Sequence, residues 1–279
     1  PDALTALDPQ AVTRYNLIAG AIGIVSALLV TATSVVMTRK YPGASGVALA
    51  HTVPLLTAAA ALRLSQSHWD TAGWGWTGLG LLIGALAVLT LPKRYRISIA
   101  APLVVGTVLA ATGLLVRLGQ LSQAGISAIL FALIIVLLQV APWIALAHIP
   151  VRILDADTTE QIPAKGITDQ VSNSFVFVVA LRSGGAVAAI FLTISLMTAP
   201  EMRSVSLPLT LLTLGAVSLV LQTRSIRARV EVLLGALSGL IVILVATVLG
   251  AYADPRTMPW LTLTAIATAL VLVVTNVVG

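Results

Sequence analysis

The pattern along the chain is one of long apolar runs broken by short polar connections. A bilayer core needs about 20 apolar residues per crossing helix. Nine runs meet that length: Leu17–Met37, Ala44–Leu62, Trp74–Leu91, Ser98–Val116, Ala124–Ala147, Ser183–Ala199, Val205–Leu221, Val232–Ala251 and Pro259–Val278. None alternates with the period of two that a half-buried strand requires. The pattern therefore predicts an all-α, polytopic transmembrane helix bundle with about nine spans. Most connections are short, which makes successive helices antiparallel.

Ring placement agrees with these boundaries. Trp69, Trp74, Trp76, Trp143 and Trp260 lie near run ends, as do Tyr15, Tyr41, Tyr95 and Tyr252. Amphipathic rings favour the headgroup zone, where the ring is buried and its N–H or O–H stays wet. The connection 149–182 is longer than the rest. It divides the chain into a first helix group at 1–148 (five spans) and a second at 183–279 (four spans). Within it the apolar run Phe175–Leu181 is too short to cross. That run lies in the interface or continues the next helix across Arg182.

Composition supports lipid as the main solvent. The 279 residues are 58% hydrophobic and only 9% charged, against about 25% charged in soluble domains, and the mean hydropathy is +1.03. The net charge of +6 fits loops facing anionic lipid better than a nucleic-acid partner. No cysteine is present, which removes disulfides, thiol nucleophiles and Cys-ligated metal centres. The chain begins at Pro1 and its last apolar run reaches Gly279 without a polar tail, so it reads as a piece of a longer protein.

Loop charge sets the orientation. One side carries 11 of the 16 Lys and Arg residues, including Arg39, Lys40, Lys93, Arg152, Arg224, Arg227 and Arg229; the other carries Arg14, Arg63, Arg117, Arg203 and Arg256. The richer side is expected in the cytoplasm. The chain start is then extracytoplasmic and the 149–182 loop cytoplasmic.

Candidate chemistry is sparse. Ion-coupled transport needs groups that titrate or coordinate at mid-membrane, and no Asp, Glu, Lys or Arg falls inside the nine runs. His51 does, and reads as a neutral histidine bonded to a neighbouring helix or to water rather than as a proton relay or ligand. His148 reads as interfacial. Asp155, Asp157 and Glu160 do not make a calcium loop: counted from Asp155, positions six and twelve are Glu160 and Gly166, where Gly and Glu are needed. No phosphate loop or Ser–His–Asp arrangement is visible, and His68 beside Asp70 makes none. No catalytic residue, metal or cofactor is expected.

Two charged groups remain as surfaces for a partner or lipid: Arg152 with Asp155, Asp157 and Glu160, and the cluster Arg224, Arg227 and Arg229. Gly80-x-x-x-Gly84 and Gly235-x-x-x-Gly239 each put two glycines on one helix face, a spacing that lets helices approach closely.

The stretch Gln139-Val-Ala-Pro-Trp143-Ile-Ala-Leu-Ala-His148-Ile-Pro-Val-Arg152 closes one span and enters the acidic loop. Leu221-Gln-Thr-Arg224-Ser-Ile-Arg227-Ala-Arg229 closes a later one. Together they resemble EccD, the polytopic membrane component of actinobacterial type VII (ESX) secretion systems. Family members have a cytoplasmic ubiquitin-like domain, then eleven spans with a cytoplasmic loop after the sixth. The resemblance aligns the five spans before the loop with spans two to six and the four after it with seven to ten. It implies a non-enzymatic scaffold or channel component of the cell inner membrane, supporting protein export. It also implies partners: a second EccD copy, the EccB and EccE subunits, the EccC ATPase, and phospholipid. The competing reading from composition alone is a secondary transporter or permease for a small uncharged solute. A lipid-linked sugar transferase would want extracytoplasmic acids, for which only Asp2 and Asp8 precede the first span.

Overall fold

The computed structural model describes residues 9–40, 44–65, 71–89, 99–119, 121–147, 164–201, 204–222 and 229–254, with 259 and 266. Among them the regular elements are α-helices: α1 (Pro9–Lys40), α2 (Ala44–Leu64), α3 (Thr71–Val88), α4 (Ala100–Gly119), α5 (Gln123–Ala147), α6 (Ala164–Met197), α7 (Ser206–Gln222) and α8 (Arg229–Ala253). Among the described residues six helices are long and apolar enough to cross a membrane, and α7, at 17 residues, is a shorter apolar helix. The ninth expected span, Pro259–Val278, lies outside the described residues apart from 259 and 266.

The chain forms two compact units, 1–122 and 123–279. In the first, α2 packs between α1 and α3, and α3 packs on α4. Helix α1 buries a narrow stripe of small residues, Gly20, Ala27, Ser34 and Thr38, and exposes Ile18, Ile22, Val25, Leu28 and Leu29. Spacings of seven and four place the stripe on one helix face. The glycines of α3 set the rest of the unit. A Cβ on Gly80 would lie 2.5 Å from the Thr57 carbonyl oxygen, and one on Gly84 2.5 Å from Pro54 Cα, both on α2. A Cβ on Gly78 would lie 2.7 Å from the Gly106 carbonyl oxygen on α4. Helix α3 thus touches both neighbours backbone to backbone, which small residues alone permit.

In the second unit α6 packs on α5 and α8, and α7 on α8 and α5. Phe131 of α5, fully buried, lies against Gly215 of α7. Leu192, Leu196, Leu212, Val220 and Val242 complete the core. Gly239 of α8 sits 2.9 Å, by its would-be Cβ, from the Ala216 carbonyl oxygen of α7. Gly235, one turn earlier, is half-buried and its carbonyl accepts a bond from Ser238 at 3.0 Å.

The distribution of polarity is inverted relative to a water-soluble fold. Ser34, Thr38, Thr112, Ser127, Thr193 and Ser195 are buried, while large aliphatic side chains cover the exterior. Most of these hydroxyls donate to the carbonyl four residues earlier, as Thr112 does to Val108 at 2.8 Å and Thr193 to Ala189 at 2.8 Å. A hydroxyl satisfied within its own helix packs as a small side chain. An exterior this apolar suits lipid and is rare on soluble monomers.

Helix α6 departs from the sequence reading. It runs without interruption from Ala164 to Met197, so the segment expected to be a loop, 149–182, is helical from Ala164 onward. Phe175–Leu181 continues the following helix across Arg182. The part long and apolar enough to cross a membrane is Ser174–Met197, and Arg182 lies inside it, buried. The expectation that no charge falls within a span is thereby corrected. A hydropathy window breaks at an arginine, but the backbone hydrogen-bond ladder does not, and arginine is a good helix former.

Candidate functional site

The densest polar grouping among the described residues joins the start of α5 to the end of α6. The last four carbonyls of a helix lack intrahelical donors. In α6 two of them are met locally: Thr198 N–H donates to Ile194 at 2.9 Å and Ala199 N–H to Leu196 at 3.4 Å. The Ser195 carbonyl instead accepts from the Gln123 side-chain amide at 2.8 Å. The Ser127 and Ser195 hydroxyls share a hydrogen bond at 2.7 Å. Gln123, Ser127 and Ser195 are all buried. In return, the Gln123 backbone N–H, at the start of α5, donates to the Glu201 carboxylate at 3.5 Å. A carboxylate at a helix N-terminus also meets the positive end of the helix dipole. Each helix end is thus capped from the other's neighbourhood.

Two hydroxyls bonded to each other and to a neutral amide tie the two helix ends together. Among the described residues no three His, Asp or Glu side chains converge to hold a metal ion.

A second polar pair lies between α5 and α7, where Gln139 donates to the Ser218 hydroxyl. Gln139 and nearby Trp143 are exposed. Arg182 of α6 is buried, fifteen positions before Met197, a rise of about 22 Å along the helix. His51, on α2, is exposed, and with Pro54, Val88, Ile99 and Pro102 it borders a recess of about 10 Å³, room for about one water.

The charged groups singled out from sequence fall differently. Arg152, Asp155, Asp157, Glu160, Arg224 and Arg227 lie outside the described residues, as do His68 and His148. Arg229 opens α8. Gly80 and Gly84 face α2, and Gly239 faces α7. The Gln123–Ser127–Ser195 grouping was not singled out. Its parts are 68 and 72 positions apart, and the only local signal was a glutamine opening an apolar run.

Two solved structures share the fold. The chain matches protomer 1 of the ESX-3 core complex over 96% of its own length, with TM-score 0.63 and 15% identity. It matches a chain of the MycP5-free ESX-5 inner membrane complex, State II, over 96% of its length, with TM-score 0.62 and 19% identity. It spans 66% and 62% of those two chains. No protein-family model and no curated protein matches the sequence.

Proposed function

We propose that the chain is a non-enzymatic membrane scaffold component of a type VII secretion complex, supporting protein export across the inner membrane. The observation that carries this reading is the shared fold over 96% of the chain with subunits of two such complexes. The residue resemblance of 139–152 and 221–229 to EccD points the same way. The clamp between α5 and α6 serves a scaffold, because it ties two helix ends together. On this reading the chain pairs with a second copy, meets EccB, EccE and the EccC ATPase, and is bathed in phospholipid. Its start is extracytoplasmic. Asp155, Asp157 and Glu160, with Arg152 and Arg224, Arg227 and Arg229, form the cytoplasmic contact surface.

Deletion of the gene in its native host should abolish export by the corresponding secretion system, and the intact gene should restore it. Unchanged export in the deletion strain would refute the proposal. The buried Arg182 favours a second reading, a permease, because intramembrane cations mark solute or ion paths. Arg182→Gln separates the two. A permease loses transport with its assembly intact. A scaffold loses export only insofar as the complex itself is lost.

A further inference from the structure

Helix α2 forms the floor of an open groove whose walls are α1 and α3. Thr57, Ala60 and Ala61 lie on the floor, Ile24 and Leu28 on one wall and Ile83 on the other, around a cavity of about 290 Å³. Small floor residues make the trough, and the exposed Ile24, Leu28 and Ile83 form its rim. The two hydroxyls in the lining are already committed. Thr31 donates to the Ala27 carbonyl at 2.7 Å, and Thr57 to the Val53 and Pro54 carbonyls at 3.0 Å. Water entering the groove would find almost no partner there. An apolar chain loses nothing on entering.

The length of the groove selects its occupant. Along α2 the groove runs from Val53 to Leu64, a rise of about 16 Å. Half of the hydrocarbon core, one leaflet, is about 15 Å. The groove therefore matches one acyl chain entering from one membrane face. The Leu64 end carries positive charge. There Arg63, exposed, donates to the Asn16 side chain of α1 at 3.5 Å, and Arg14, also exposed, stands two positions before Asn16. The opposite end, at Thr31, Val53 and Ala87, is apolar. A cation at one end of an apolar channel one leaflet long complements an anionic headgroup with its tail.

We propose that this groove binds one acyl chain of an anionic phospholipid, with the lipid phosphate on Arg63 and the tail reaching Thr31 and Val53. The site is built by three helices of a single chain and needs no second copy. It depends on residence in the membrane and not on the secretion reading. A chain that assembles with no secretion subunit would still bind the lipid.

The test uses the full chain in phosphatidylcholine nanodiscs doped with phosphatidylglycerol bearing a photoactivatable diazirine near one acyl terminus. Adducts are mapped by peptide mass spectrometry. The exposed face of α8, with Leu237 and Leu244, reports ordinary annular lipid. Labelling at Thr31, Val53 and Ile83 should exceed labelling of α8. Thr31→Phe and Ala61→Leu, which fill the groove, should each lower that excess about fivefold. Arg63→Gln should lower it about fivefold for phosphatidylglycerol and leave a matched phosphatidylcholine probe unchanged. Arg63 is exposed, so this variant keeps the test decisive if a filling variant loses its monodisperse gel-filtration peak. Equal labelling of the groove and α8 would mean annular lipid only and would overturn the proposal. Groove labelling indifferent to both Arg63→Gln and headgroup charge would overturn it as well.

Discussion

The contact between α3 and α4 makes the sharpest stability prediction. Gly78→Ala adds one methyl group where two backbones meet. The new Cβ would stand 2.7 Å from the Gly106 carbonyl oxygen and 2.8 Å from Ala110 Cα. Carbon atoms pack at about 3.5–4.0 Å, so α4 must retreat by about 1 Å. The obstructing atoms are backbone and cannot rotate away. Retreat also loosens the neighbouring approach, where a Cβ on Gly113 would already lie 2.6 Å from the Thr71 carbonyl oxygen. Overpacking of a tight core costs about 1–3 kcal/mol, and the rigidity of the neighbours places Gly78→Ala near the upper end. Gly119→Ala is the control. Its Cβ would meet only the Leu121 side chain, at 3.2 Å, and alanine is favoured over glycine in helices by about 1 kcal/mol. It should be neutral or slightly stabilising. Unfolding by sodium dodecyl sulfate in mixed micelles, followed by tryptophan emission, measures both; α3 itself carries Trp74 and Trp76. A Gly78→Ala variant within about 0.5 kcal/mol of the parent, or a control equally damaged, would refute this account of the packing.

Gln123→Leu removes the donor to the Ser195 carbonyl and should cost about 1–2 kcal/mol in the same titration; an unchanged midpoint would show that the cap is idle. The chain has no cysteine, so single-cysteine labelling reports orientation directly. Asp157→Cys and Ser225→Cys should react with an impermeant thiol reagent only after the inner membrane is opened, while Asp70→Cys and Asp254→Cys should react from outside. Reversed labelling would invert the topology. Replacing Asp155, Asp157 and Glu160 together by Lys sets like charges where complementary ones are expected, which costs several kcal/mol at an interface. Recovery of partner subunits should fall while the variant still inserts, and undiminished recovery would exclude the acids as a docking site.

Hydropathy located most helices closely because a crossing helix must keep its apolar run unbroken. The run Ala44–Leu62 corresponds to α2 at Ala44–Leu64, and Val232–Ala251 to α8 at Arg229–Ala253. It failed at α6, where Arg182 interrupts the apolar signal but not the helix. It also shortened α1, whose first turns carry Arg14 and Asn16 and begin at Pro9, a residue suited to a first helical position. Glycine spacing pointed to Gly80 and Gly84, yet Gly78 and Gly113 approach their neighbours as closely. Those two do not share a four-residue repeat, because their contact is set by where two helices cross. The Gln123–Ser195 cap was beyond sequence reasoning for the same reason: nothing local to either residue names a partner 72 positions away.

Whether the chain is, as proposed, a component of a membrane secretion machine is decided by what it carries with it out of the membrane. An affinity-tagged copy at native level should be extracted from its own membranes in mild detergent and its co-purifying proteins identified and counted. The expected result is a large assembly containing the EccC-type motor ATPase with EccB- and EccE-type subunits in fixed ratio to this chain. A well-folded, monodisperse chain recovered at normal level without any of those subunits would contradict it.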